Sequence, residues 1–196
     1  MQKRTSKRTD LNARPIEAEG KTVDLRSRIR RLPEFKGVVF WDITTLLKDR
    51  YAFRECIEKM ADHYRGRSID VIVSSEARGF IIGAALAYEL GAGFVPIRKK
   101  GRLPSKAINI TYQKEYESDT IEIHEDSISP GQKALLIDDL LATGGTIKAN
   151  ADLVEKLGGE VVGMGFLIEL EYLHGRKTIG DKCEIFSLIS FKTTNG

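Results

Sequence analysis

The sequence has little of what metal, disulfide and membrane proteins are made from. It holds two cysteines, Cys56 and Cys183, too far apart to form a metal or redox motif. Two isolated thiols fit a reducing compartment, and a cytoplasmic protein is expected. The three histidines, His63, His124 and His174, also lack ligand spacing. No apolar run reaches membrane length, and the basic, polar N-terminus has no apolar stretch of the secretory kind, so neither a membrane partner nor a secretory signal is expected. No internal repeat is visible.

At 196 residues with ordinary apolar content, the chain suits one domain, or one domain with an appendage. Its charge is unevenly spread. Residues 1–31 carry ten Lys and Arg against four Asp and Glu, a net +6, which leaves residues 32–196 at −3 in a chain of +3. Residues 1–21 read as a basic, solubilising, disordered tail, with a single domain over 22–196. A basic arm can also bind nucleic acid, but the body of the chain is no polyanion binder, and nucleic acid is not the expected partner.

Periodicity sets the elements. A short helix is expected from Thr22, with Val23, Leu25 and Ile29 apolar, ending before Pro33. Val38 to Trp41 read as a short strand or extended segment, and Asp49 as the N-cap of a helix over 50–64. Strands are expected over 69–74, 93–97, 120–123, 135–137, 161–170 and 185–189. Helices are expected over 80–90, closed by Gly91, and from Gly145 to Leu157. Residues 102–118 read as a long, irregular, functional loop. Strands alternating with helices predict an α/β fold, a mostly parallel twisted sheet with flanking helices.

One stretch concentrates the chemistry: Leu135-Leu136-Ile137-Asp138-Asp139-Leu140-Leu141-Ala142-Thr143-Gly144-Gly145-Thr146. A buried strand leads into two adjacent carboxylates, and Thr-Gly-Gly-Thr opens an amphipathic helix. The first turn of a helix carries unpaired N–H groups and the positive end of the dipole, so it attracts phosphate. Gly144 and Gly145 let the backbone approach an anion closely. Ala142, Thr143 and Thr146 complete the turn, the threonines adding hydroxyl donors. Asp138 and Asp139 repel phosphate but suit ribose hydroxyls or a hydrated Mg²⁺. Together these groups would accept both ends of a ribose 5-phosphate. The stretch matches neither the Walker pattern nor a Gly-x-Gly-x-x-Gly turn.

The same stretch resembles the phosphoribosyl pyrophosphate (PRPP) motif of the type I phosphoribosyltransferases, most closely the adenine-specific branch. From about residue 29 to 191 further stretches match in order. They are Phe40-Trp41-Asp42-Ile43-Thr44-Thr45-Leu46-Leu47-Lys48-Asp49, Glu76-Ala77-Arg78-Gly79-Phe80, and Val95-Pro96-Ile97-Arg98-Lys99-Lys100-Gly101-Arg102-Leu103-Pro104. Glu115-Tyr116, Phe166-Leu167-Ile168-Glu169-Leu170 and Phe186-Ser187-Leu188 follow.

The resemblance implies a type I phosphoribosyltransferase fold with a small N-terminal hood over 22–45, a homodimer, and an enzyme of purine salvage. Such an enzyme makes AMP and pyrophosphate from adenine and PRPP with Mg²⁺. It implies that Ala142 to Thr146 cradle the 5′-phosphate, and that Asp138 and Asp139 meet the ribose hydroxyls and, through water, the metal. Arg78, Arg98, Lys99 and Lys100 would face the pyrophosphate. Phe40 would stack on the purine, Leu170 would lie on its other face, and the backbone around Val39 and Trp41 would read its amino edge. The 102–118 loop would be a lid, in which Glu115 exchanges a proton with adenine and Tyr116 covers the reacting atoms. Two departures stand out: Trp41 replaces the family's usual Arg, and residues 33–37 are shorter than the family's proline-rich equivalent. Other readings of the same residues are a PRPP-sensing regulator with a nucleic-acid-binding arm, and a phosphoribosyltransferase acting on a 6-oxopurine.

Overall fold

Apolar runs bounded by turn residues become the middle of a seven-stranded sheet. The computed structural model describes residues 23–35, 38–113 and 118–194. In it, β3 (Val71–Ser75) is buried along its whole length, and β7 (Lys133–Leu141) is buried from Ala134 to Ile137. Such continuous runs belong to parallel strands covered on both faces. With β4 (Gly93–Lys99), β8 (Glu160–Leu170) and β9 (Ile185–Phe191), they form a parallel block in the order β4-β3-β7-β8-β9. Beyond β4 the sheet ends in an antiparallel pair, β6 (Ser118–His124) next to β4 and β5 (Ala107–Gln113) at the edge.

Side chains along β7 alternate between two cores. Leu135 and Ile137 pack with Cys56, Met60 and Tyr64 of α2 (Arg50–Tyr64) and with Ile82 and Leu86 of α3 (Arg78–Leu90). Ala134 and Leu136 pack with Ala149, Leu153 and Val154 of α4 (Gly145–Lys156). Helices therefore cover both faces, as the fold class expected from the sequence requires. The helix ends also follow local chemistry. Asp49 accepts the N–H groups of Tyr51 and Ala52 at 3.0 and 3.2 Å, and Gly91 closes α3 in the left-handed region at φ 68°.

Two expectations are corrected. The apolar positions near residue 25 do not make a helix: a 3₁₀ turn at Arg26–Arg28 leads into β1 (Arg30–Phe35). β1 pairs antiparallel with β2 (Val38–Asp42), with a register shift between Leu32 and Glu34 that accommodates Pro33. Leu25 and Ile29, which flank the 3₁₀ turn, are still buried in the first core, so the apolar positions are used without a helix. Residues 107–113, expected as irregular, are β5. Ile108, Ile110 and Tyr112 pack against the second core while Asn109 and Thr111 stay exposed. That is the period of a strand, masked by its polar half. The basic stretch 1–21 lies outside the described residues.

The β1–β2 pair continues into the body through Asp42, which is bound by Arg30 and accepts the Thr44 N–H at 2.9 Å. The Arg30 hydrogen bond, aided by Thr44, holds this carboxyl down to about 2. An unfolded aspartate titrates near ~4, so the stabilisation is fully present above about pH 4 and is lost as pH falls towards 2. Thermal melts of Asp42→Asn and the unaltered chain should therefore converge across this window, the variant being less stable at pH 5. Parallel curves would show that the Arg30–Asp42 pair contributes no net stability.

Candidate active site

Strand order reverses in the middle of the sheet. From β3 the chain passes through α3 to β4 on one side, while β7 adds on the other side of β3. At such a switch point the loops leaving the two strands diverge and open a crevice beyond their carboxyl ends. A cavity of about 510 Å³ lies there. The end of β3 lines it with Ser75, Glu76, Ala77 and Arg78, the end of β4 with Arg98 and Lys99, and the end of β7 with residues 138–146. Tyr112 and Gln113 of β5 and Asp119 of β6 line it as well.

The carboxylates do not end β7, as the sequence suggested. The strand continues to Leu141, with Leu140 opposite Ile168 and Leu141 opposite Glu169. Ala142, Thr143 and Gly144 then make the turn, Gly144 lies at φ 85°, and α4 begins at Gly145 with no side-chain cap. A glycine N-cap has no side chain with which to occupy the first-turn N–H groups, and residues 143–146 line the cavity. A Cβ on Gly144 would stand 2.6 Å from the Gly175 carbonyl, at the start of the short α5 (Gly175–Ile179), so glycine is required by space as well as by φ. A Cβ on Gly145 would stand 3.0 Å from the Gln113 carbonyl, and the Tyr112 hydroxyl is 3.1 Å from Thr146 Oγ1. The end of β5 therefore leans directly on the turn.

Asp138 and Asp139 form one electrostatic unit with Arg78. Asp138 Oδ1 accepts the Asp139 N–H at 2.9 Å, and Arg78 Nε lies 2.5 Å from Asp139 Oδ2. Burial, and then the neighbouring Asp139 charge, push Asp138 well above the ordinary carboxylate range. Burial also raises Asp139, with the Arg78 charge opposing it. α3 can start this close only because Gly79 has no side chain: its Cβ would be 2.7 Å from Asp138 Oδ1.

Across the cavity, Glu76 organises the cations. It accepts Arg98 Nε at 3.1 Å and the Lys99 N–H at 2.9 Å, with Arg102 Nε at 3.6 Å. Burial works against its charge, but the Lys99 N–H and Arg98 outweigh this and keep the carboxyl below its usual range. Lys99 Nζ also lies 3.8 Å from Asp119. Lys100 is not among the lining residues. It is exposed, and its backbone N–H bonds to the Thr120 carbonyl at 3.0 Å.

The four residues expected around a base do not line this cavity. Phe40 is 41% exposed, and its ring centroid lies 5.2 Å from the Arg78 guanidinium carbon. Val39, Trp41 and Leu170 are buried in the first core, so their side chains offer no free face. Trp41 stacks on Phe191 at 3.8 Å with the planes 13° apart. Glu115 and Tyr116 lie outside the described residues. Sequence reasoning gave no site role to Glu76, Tyr112, Gln113 or Asp119. The alternation over 107–113 was the available signal for Tyr112, and adjacency to Arg78 the signal for Glu76.

Residues 42–193 match the family model described as the phosphoribosyl transferase domain. The adenine phosphoribosyltransferase of Chlorobaculum parvum is 55% identical over 173 residues, covering 86% of this chain and 98% of that protein. The crystal structure of adenine phosphoribosyltransferase from Thermoanaerobacter pseudethanolicus superposes with a TM-score of 0.82 at 50% identity, over 85% of this chain and 98% of that one. The Giardia lamblia enzyme complexed with 9-deazaadenine superposes with a TM-score of 0.83 at 36% identity, over 87% and 97%. A switch-point crevice with an uncapped Gly-Gly turn beside paired carboxylates agrees with these matches, and the chain belongs to the phosphoribosyl transferase domain family, among its adenine phosphoribosyltransferases.

Proposed function

We propose that this chain transfers the 5-phosphoribosyl group from PRPP to adenine, releasing pyrophosphate and forming AMP for purine salvage. The observation that carries this reading is the convergence in one cavity of three groups: the 143–146 turn with its glycine N-cap, the Asp138–Asp139–Arg78 unit, and the Arg98–Lys99 corner braced by Glu76. They match in order the 5′-phosphate, the ribose hydroxyls and the pyrophosphate of one PRPP molecule. The purine would lie on the exposed face of Phe40, where stacking contributes about 1–3 kcal/mol. The buried Val39, Trp41 and Leu170 would shape this platform from behind, leaving the backbone to read the amino edge.

Among the described residues no three His, Cys, Asp or Glu side chains gather into a metal cage. The Asp138–Asp139 pair, with one guanidinium against two carboxyls, nevertheless fits a hydrated Mg²⁺ that arrives with PRPP and is held through its waters. When bound, the ion would neutralise charge on the departing pyrophosphate. The chain's own contribution is positioning and charge. The turn fixes the 5′-phosphate, Asp138 and Asp139 hold the ribose as its anomeric carbon becomes cationic, and Arg78, Arg98 and Lys99 meet the leaving oxygens. As adenine N9 bonds to that carbon, its proton passes to a base, the role of Glu115, with Tyr116 closing over the reacting atoms.

With PRPP and Mg²⁺, adenine should be converted far better than hypoxanthine, guanine or orotate, with a kcat/KM advantage of at least ~100-fold, as expected where buried polar groups read the base edge. Preference for an oxopurine would overturn the adenine assignment. In the same assay Glu115→Gln should lower kcat by about 10²–10⁴-fold with the KM for PRPP almost unchanged. Full turnover would remove Glu115 from the chemistry.

The carboxylate pair should also leave a trace in stability. Because Asp138 titrates above its unfolded value, the folded state holds its proton to higher pH, so the pair destabilises the free protein as pH rises through that range. Asp138→Asn should therefore raise Tm at neutral pH while raising the KM for PRPP about tenfold or more. A variant with lower Tm and unchanged KM would mean that Asp138 serves the fold and not the ligand.

A further inference from the structure

α4 carries a fully buried asparagine, an unusual side chain for a helix face packed on a sheet. Asn150 has 0% exposure and stands one and a half turns beyond Gly145. Its Nδ2 donates to Ser75 Oγ at 2.6 Å, while its Oδ1 is buried without a hydrogen-bond partner. Leaving a buried polar atom unpaired is costly, and an apolar residue would fill the same space without that cost. Helix propensity does not favour Asn either. What the amide does provide is a link between two elements of the site. α4 begins at the Gly-Gly turn, and Ser75 is the last residue of β3, immediately before Glu76, Ala77 and Arg78, and itself lines the cavity.

The direction of this hydrogen bond has a chemical consequence. A hydroxyl has one donor and two acceptor sites. With the Asn150 amide donating to it, the Ser75 oxygen is engaged as an acceptor, and its own O–H remains free to donate. We infer that Asn150 is a positioning residue that turns the Ser75 hydroxyl towards the cavity, where Ser75 donates to an anionic oxygen on the pyrophosphate arm of PRPP. This rests on the proposed transferase reading. Asn150 also ties the 5′-phosphate helix to the turn at Arg78, so that the two ends of one substrate are held at a fixed separation.

Ser75→Ala removes the donor, and with it the acceptor of the Asn150 amide. It should raise the KM for PRPP, and for pyrophosphate in the reverse reaction, by about tenfold or more, the usual loss for a hydrogen bond to a charged group. The affinity for AMP, which lacks the pyrophosphate, should stay within about twofold. Ser75→Thr keeps the hydroxyl and should restore the PRPP KM to near its original value. Asn150→Leu should reproduce the Ser75→Ala pattern, and the double variant should be no worse than either single one, since the two act as one unit. Melting curves run alongside separate folding from binding. Equal losses for AMP and PRPP, or unchanged KM values with a shifted Tm, would reduce the pair to a structural contact and overturn the inference. The unaltered chain's turnover of adenine and PRPP tests the transferase reading separately, whatever these variants show.

Discussion

Two carboxylates on adjacent residues of a crevice repel each other and lose hydration together, and Arg78 is the cation that answers them among the described residues. Arg78 reaches Asp139 at 2.5 Å from the first residue of α3. That placement depends on Gly79, which lets the helix start press against Asp138, and on the switch in strand order that brings the ends of β3 and β7 side by side. The same guanidinium lies 5.2 Å from the ring of Phe40. A single side chain therefore touches the carboxylate pair on one side and the aromatic surface of the β1–β2 unit on the other. On the proposed reading, a polyanionic pyrophosphate group and a dication arriving together would rebalance this arrangement, because each supplies charge that the free protein lacks.

Much of this was legible in the sequence, because the signals were local. The strand–carboxylate–Gly-Gly run of 135–146 carries its own geometry, from a two-sided apolar strand to a turn that only glycine can make. Arg78-Gly79 and Arg98-Lys99 follow strands whose apolar runs were plain, so their position at the sheet's carboxyl edge followed from the α/β pattern. What could not be read depended on partners distant in sequence. β1 is a strand because Val38–Asp42 lies beside it, which helical spacing at Val23, Leu25 and Ile29 could not reveal. β5 looked irregular because half of its residues face solvent, and only its pairing with β6 makes the alternation meaningful. Lys100 belonged to the same basic run as Arg98 and Lys99, yet strand alternation and the turn at Gly101 leave it outside the cavity.

Trp41 shows how a departure in sequence can be absorbed without disturbing the surface that matters. In a strand, neighbouring side chains point to opposite faces, so burying Trp41 presents Phe40 outward. Trp41 is covered by Phe191 at 3.8 Å, and Arg26 caps the other side of Phe191, its guanidinium carbon 4.6 Å from the ring centroid and its Nη2 2.6 Å from the Ser190 carbonyl. Arg31 adds a bond to the Thr194 carbonyl at 3.0 Å. The β1–β2 unit has only two strands and little core of its own, so it must borrow rigidity, and it takes it from the last strand of the main sheet. Stacked aromatic pairs are worth about 0.5–1.5 kcal/mol beyond the area they bury, which adds to the Arg26 and Arg31 bonds in tying the unit to that strand. The orientation of Phe40 is then set from beneath by the side chains of Trp41, Phe191 and Arg26, none of which lines the cavity. A change at Phe191 or Arg26, far from Phe40 in sequence, would on this argument reach the base before it reached the phosphates.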